Sequence, residues 1–148
     1  MTERIRVLFV CTHNSARSQI AEALLDRDGA ERFDAFSAGT EATGVRPQTV
    51  QVLREIGIDW SGARSKTIAA FLDQPFDYVV TVCDDARDAC PVFPGAARTL
   101  HWNLPDPSTV TGTEAERLAA FRGTVRDVEA RLTPFIEEAL RADVAGRT

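Results

Sequence analysis

Apolar residues fall along this chain in two alternating patterns. Ile5-Arg6-Val7-Leu8-Phe9-Val10 is almost continuously apolar and closes on Cys11. A run this short and this apolar predicts a strand over residues 5–11, buried on both faces. Gln19-Ile20-Ala21-Glu22-Ala23-Leu24-Leu25 then takes up helical spacing and predicts a helix over 16–27. Arg32 to Ser37 reads as a second strand, closed by Ala38-Gly39. Pro47, then Val50, Leu53 and Ile56 at helical spacing, then Gly57, mark a second helix with its start and stop. Residues 65–72 suggest a short helix. Phe76-Asp77-Tyr78-Val79-Val80-Thr81-Val82 is a third strand, β-branched and ending on Cys83, and Ala97 to His101 is a fourth. Thr113 and Glu116 form a capping box ahead of Leu118, Phe121, Val125, Val128, Leu132 and Phe135, the apolar face of a last helix. Pro134 is expected to kink that helix or break it near its end.

Strands alternating with helices predict the α/β class: a four-stranded parallel sheet as the middle of a three-layer αβα arrangement, in one domain over residues 1–148. Ligand sites in such sheets lie at the carboxyl ends of strands. Cys11 and Cys83 both fall at predicted carboxyl ends, so their sulfurs can approach if the two strands are neighbours. No repeat, linker or low-complexity tract interrupts the pattern.

Composition narrows the function classes. A chain 44% hydrophobic and 26% charged is that of a soluble globular protein. No apolar run reaches the length of a membrane span and Met1-Thr2-Glu3-Arg4 opens no signal peptide, so a cytoplasmic location and no membrane partner are expected. The net charge of −5 argues against nucleic acid as a partner. It also requires any anion site to be a local positive pocket on an acidic body. In a reducing compartment the three cysteines, Cys11, Cys83 and Cys90, are more often catalytic, redox-active or metal-binding than structural.

The chemistry concentrates in Cys11-Thr12-His13-Asn14-Ser15-Ala16-Arg17-Ser18, between the first strand and the first helix. Strand, tight loop and helix N-terminus turn backbone N–H groups toward an anion. Arg17 adds a planar fork of donors matched to two oxygens of a tetrahedral oxyanion. The same field favours Cys11 as a thiolate, a nucleophile at the floor of the pocket. Residues Thr12 to Ser18 are therefore the candidate oxyanion-binding set. The loop lacks the glycines and lysine of a nucleotide-binding P-loop.

Cys83 and Cys90 stand seven positions apart. A rigid helix would hold their Cα atoms about 10 Å from one another, beyond the ~7 Å reach of a disulfide, so a bond between them requires the polar segment 84–89 to unwind. Their spacing is not a usual zinc spacing, neither His13 nor His101 completes one, and no metal or cofactor is expected. Asp106, on the proline-stiffened loop Pro105-Asp106-Pro107, is a candidate general acid over the pocket.

Together, Cys11 to Ser18, Ser37-Ala38-Gly39, Thr81-Val82-Cys83, Cys90-Pro91 and Asp106-Pro107 resemble the arsenate reductases built on the low-molecular-weight tyrosine phosphatase fold. The likeness covers about residues 5 to 135, and the three cysteines resemble its thioredoxin-coupled branch. The resemblance implies arsenate as substrate and thioredoxin as reductant. In the implied relay Cys11 attacks arsenate, Cys83 attacks Cys11 and releases arsenite, and Cys90 attacks Cys83. Arg17 and the loop amides hold the oxyanion, Ser18 stabilises the Cys11 thiolate, Asp106 protonates the departing oxygen and Asn14 braces the loop.

The chain departs from that pattern in three places. Ala16 stands where many relatives carry a further cysteine. Ser108 and Thr109 follow Pro107 where the phosphatases place a tyrosine against an aryl substrate. Some relatives bind potassium through an Asn, a Glu, a Ser and an Asp; Asn14, Glu22 and Ser37 match, but Lys66 takes the place of the Asp, which leaves two readings, an ammonium built in where the ion would sit or a solvated surface lysine. The alternatives are a phosphatase hydrolysing phosphomonoesters, which has no use for Cys83 and Cys90, and a non-enzymatic redox sensor.

Overall fold

The computed structural model of the chain describes residues 4–84 and 93–147. Strands β1 (Ile5–Cys11), β2 (Phe33–Gly39), β3 (Phe76–Thr81) and β4 (Ala96–His101) pair in parallel in the order β2-β1-β3-β4. The α/β class and the four parallel strands are those the alternating pattern predicts. Apolarity sorts the strands across the sheet: Val7, Leu8, Phe9 and Val10 of β1 are fully buried, whereas β4, reading Ala-Ala-Arg-Thr-Leu-His, is mostly exposed and takes an edge.

Three helices follow, α1 (Arg17–Asp28), α2 (Pro47–Glu55) and α3 (Glu114–Arg147). Ile20, Leu24 and Leu25 of α1 and Phe121, Val125, Val128, Leu132 and Phe135 of α3 close over Val7, Phe9, Val80 and Val82, and Val52 of α2 joins them. The opposite face carries Leu8, Val10, Ala38, Val79, Phe71, Phe76 and Phe93. Its described cover is one 3-10 turn, Ile68–Phe71, with Phe36, Phe71 and Phe76 in edge-to-face contact at 5.6–6.0 Å between centroids.

The sequence signals at helix ends are realised. Glu116 N–H donates to Thr113 Oγ1 at 3.1 Å and Thr113 N–H to Glu116 Oε1 at 3.2 Å, the reciprocal capping box. Gly57 beyond α2 takes φ +86°, and Ile58 N–H returns to Leu53 O at 2.9 Å.

Two expectations are met only in part: the short helix expected over 65–72 is a 3-10 helix at Ile68–Phe71, and of a kink or a break at Pro134 the break does not occur. Residues 65–72 form no α-helix beyond the 3-10 turn, because their polar groups are committed elsewhere: Lys66 N–H donates to Asn14 Oδ1 at 2.8 Å, Lys66 O accepts from Gly39 N–H at 2.9 Å, and Thr67 bridges to Gly39. Pro134 does not end α3, which continues unbroken to Arg147. The proline removes one backbone hydrogen bond, but Phe135 and Ala139 beyond it remain buried in the core, with Ile136 and Leu140 packed beside them. β2 also runs through Ala38 to Gly39, longer than the predicted strand.

Candidate active site

The order β2-β1-β3-β4 reverses direction between β1 and β3, the point where ligands bind in doubly wound sheets. Cys11 is the last residue of β1, and Cys83 lies two residues beyond β3. The two strands are neighbours, paired through Val10 and Thr81, with Val82 N–H donating to Val10 O at 2.8 Å. Cys83 is fully buried, its sulfur 4.0 Å from the carbonyl oxygen of Val10, the residue bonded to Cys11. Both thiols are free of disulfides. Cys90 and segment 85–92 lie outside the described residues.

The loop between β1 and α1 is held from its outer side. Thr12 O accepts from Glu41 N–H and Thr40 Oγ1, each at 2.9 Å. Asn14 O accepts from Ser65 Oγ at 2.8 Å, and Ser15 O accepts from Arg46 N–H at 3.0 Å and Thr49 Oγ1 at 2.8 Å. Each peptide carbonyl fixed outward turns the next amide inward, so the loop presents N–H groups to its centre. No side chain caps the first turn of α1, which leaves its amides facing the same space.

Cys11 Sγ lies at that centre, only 2% exposed, 2.8 Å from Ser18 Oγ and 3.2 Å from Asn14 N–H. Asn14 N–H donates to this sulfur, and the Ser18 hydroxyl shares a hydrogen bond with it in which either atom can donate. Asn14 takes φ +51°, the left-handed conformation asparagine tolerates better than most residues. Its buried side chain justifies the strain: Nδ2 donates to Ser18 Oγ at 2.8 Å, and Oδ1 accepts from Gln19 Nε2 at 2.9 Å and from the Lys66 amide. Gly39 is required because a Cβ there would stand 2.7 Å from Asn14 N and 2.8 Å from Thr12 O, both backbone atoms.

Arg17, first residue of α1, is buried at 2% exposure. Nη1 donates to Leu104 O at 3.2 Å, and Nη2 lies 3.5 Å from Asp106 Oδ2. The other oxygen, Asp106 Oδ1, accepts from Ser108 N–H at 2.9 Å and Ser108 Oγ at 2.7 Å, which aims Oδ2 at the guanidinium. Leu104 also donates its N–H to Cys83 O at 3.1 Å, so one residue ties the third strand's cysteine to the arginine. Thus Cys11, Arg17, Ser18, Asn14, Asp106 and, one strand over, Cys83 gather at one end of the sheet. His13 stands on the rim, half-exposed, with Nδ1 3.4 Å from a Glu41 carboxylate oxygen.

Gln19 is the residue that sequence reasoning passed over. It is fully buried, and its Nε2 donates to Asn14 Oδ1 and to Arg64 O at 3.0 Å, while its Oε1 accepts from Trp60 Nε1 at 2.8 Å. A polar residue on an apolar helix face was the available signal. Two of its partners, Trp60 and Arg64, come from a loop more than forty residues away.

Beneath the loop, Lys66 Nζ lies 3.3 Å from Glu22 Oε1 and 3.5 Å from Ser37 Oγ, and Ser37 Oγ donates to Glu22 at 2.5 Å. Burial raises the Glu22 carboxyl above its ordinary value, with the Lys66 charge and the Ser37 hydroxyl pulling the other way. An ammonium already serves this carboxylate, and Asn14 spends its side chain elsewhere, so these residues do not fit a resident potassium ion. Among the described residues no cluster of His, Cys, Asp and Glu could hold a metal, and no helix is long and apolar enough to cross a membrane.

The model of the low molecular weight phosphotyrosine protein phosphatase family matches residues 6–145. The chain belongs to this family. Within it, the chain is 41% identical over 131 residues to the arsenate reductase of Halalkalibacterium halodurans, covering 88% of this chain and 94% of that protein. A solved structure described as an arsenate reductase in the phosphate binding state superposes with a TM-score of 0.76 at 31% identity, covering 90% of this chain and 98% of that one. The thioredoxin-dependent arsenate reductase of Corynebacterium glutamicum superposes with a TM-score of 0.57 at 31% identity, covering 88% of this chain and 63% of that one.

Proposed function

We infer that this family member reduces arsenate to arsenite. The observation that carries the inference is the placement of Cys83: a second buried thiol at the seam between β1 and β3, beside the strand that ends in the nucleophile. Phosphomonoester hydrolysis needs Cys11, Arg17 and Asp106 and gives Cys83 no task. Two-electron reduction needs a thiol that can take Cys11 as its partner.

The loop amides and Arg17 bind the oxyanion, and the Cys11 thiolate attacks arsenic. Asp106 protonates the oxygen that leaves as water, so the product is an S–As(V) adduct. The Cys83 thiolate then attacks Cys11 Sγ. The S–As bond breaks with its electron pair passing to arsenic, arsenite departs as As(III), and a Cys11–Cys83 disulfide forms. Cys90 attacks Cys83 and frees Cys11. The resulting Cys83–Cys90 disulfide is reduced by an external dithiol, for which we propose thioredoxin. The likeness to a thioredoxin-dependent relative and the three-cysteine pattern support that partner.

The test is a pair of variants assayed with arsenate, thioredoxin, thioredoxin reductase and NADPH. Cys11→Ser should lose turnover while still binding phosphate, because its amides and Arg17 remain. Cys90→Ser should release one arsenite per chain and stop as a Cys11–Cys83 disulfide, identified by mass mapping. Continued turnover by Cys11→Ser, or steady thioredoxin-driven turnover by Cys90→Ser, would overturn the relay.

A further inference from the structure

A cleft of about 230 Å3 opens beside the reactive loop. Pro107 and Ser108, the residues after Asp106, line it together with Phe121 of α3. Arg46, whose backbone N–H braces Ser15 of the loop, and Arg117 of the first turn of α3 line the cleft as well. α2 begins here with no side-chain cap and no acidic residue in its first turn, so its N-terminus adds a positive end, whereas that of α3 is met by Glu114 and Glu116.

Among the described residues Arg46 and Arg117 share an unpaired guanidinium with exposed Arg126, Arg131 and Arg141, but these two line the cleft that Pro107 and Ser108 also line. Arg4 pairs with Asp34, Arg27 with Asp28 and Glu129, Arg32 with Asp143, and Arg122 with Glu55. Among the described residues, no hydrogen bond or ion pair engages the guanidinium of Arg46 or of Arg117, and both residues are exposed. Of the nearby carboxylates, Asp106 faces Arg17, while Glu114 accepts from Gln48 Nε2 at 3.2 Å and Glu116 from Thr113 N–H at 3.2 Å. These neutral partners engage the glutamate oxygens but leave both charges in place, so the two arginines act through direct contact with an anion as well as through their field.

A physical need matches this arrangement. The chain carries a net charge of −5 and the substrate is an anion, so the body as a whole repels it. Arg17 cannot offset that at a distance, because it is buried and faces Asp106. Exposed, unpaired cations at the mouth can. We propose that Arg46 and Arg117 form an outer subsite for an inorganic tetrahedral oxyanion, which captures the anion from solvent and raises its supply to the inner loop. The proposal rests on the arsenate-reducing function above but has a separate readout.

The test compares wild type with Arg46→Ala, Arg117→Ala, the double Ala variant and the double Lys variant. For arsenate reduction at ~20 mM ionic strength the double Ala variant should lose about five- to tenfold in kcat/KM, carried by KM. The gap should close by about 0.5 M salt, and the double Lys variant should stay near wild type. The independent readout is protection of Cys11 from alkylation by inorganic phosphate, mapped by mass spectrometry. Half-protection should require several-fold more phosphate in the double Ala variant at low salt only. Equal kcat/KM and equal protection across the variants at low salt, or a loss that persists unchanged at high salt, would overturn the subsite. A wild type that shows the arginine- and salt-dependent protection yet reduces no arsenate would retain the subsite and remove the function.

Discussion

At the scale of single residues, the site works by committing each polar atom to one task. Arg17 carries the clearest case. Its guanidinium is held by Leu104 O and by Asp106, so its plane is oriented before any anion arrives. Arg17→Lys keeps the charge but loses the planar fork and the anchoring to Leu104. The expected result is a fall in kcat/KM of roughly 100-fold, the scale of one lost oxyanion donor. A lysine variant with near-normal steady-state kinetics would mean that Arg17 is not the clamp. Lys66 makes a different prediction. A carboxyl whose folded pKa exceeds its unfolded value holds its proton more tightly in the folded state, so ionising it costs stability as pH rises through that interval. Glu22 is such a group, and Lys66 opposes the shift. Lys66→Ala should therefore match wild type below about pH 4 and lose about 1–2 kcal/mol by pH 7, less than a fully buried pair because Lys66 is partly exposed. Thermal melts at both pH values check this, and an equal loss at each would locate the effect of Lys66 elsewhere. With the ammonium in place, exchanging sodium for potassium at fixed ionic strength should move neither Tm nor kcat of the wild type.

At the scale of elements, buried strands and capped helices were legible because their signals are local. β1 is a short apolar run ending on Cys11 and β3 one that ends two residues before Cys83, while α2 carries its own start and stop residues and α3 its own start. The loop between β1 and α1 was legible for the same reason, since eight consecutive residues hold the cysteine, the arginine and the amides to which the proposed mechanism gives roles. What escaped was set by distant partners. Residues 65–72 look helical alone, but their amides and carbonyls are taken by Asn14 and Gly39. Gln19 looks like a helix filler until Trp60 and Arg64 arrive. Pro134 shows the converse, a strong local signal overridden by packing. In an intact helix it forfeits one hydrogen bond, so Pro134→Ala should raise stability by about 1 kcal/mol, a fraction of the ~3 kcal/mol proline penalty because the native helix already accommodates the ring. Urea unfolding measures it. A destabilised alanine variant would mean that the ring itself contributes packing that α3 needs.

At the scale of the whole molecule, the sheet order gathers the chemistry at one rim and leaves the core to hold it still. The α1 and α3 side chains that bury Val7, Phe9 and Val80 also seat the first turn that carries Arg17 and Ser18. Trp102, whose ring lies 5.7 Å from Phe9, leads into Leu104 and Asp106. The molecule holds two tryptophans, and they are wired differently. Trp102 is stacked in the aromatic core, whereas the half-buried indole of Trp60 is tethered through Gln19 to Asn14, the left-handed residue of the reactive loop. The enzyme therefore contains its own optical probe. In a Trp102→Phe background, phosphate binding or oxidation of Cys11 should alter Trp60 emission, and Gln19→Leu should silence the signal while phosphate still binds. A change that survives the loss of Gln19 would trace the emission to another route. Such a tether would let each stage of a turnover be followed by light, with no dye attached to any cysteine.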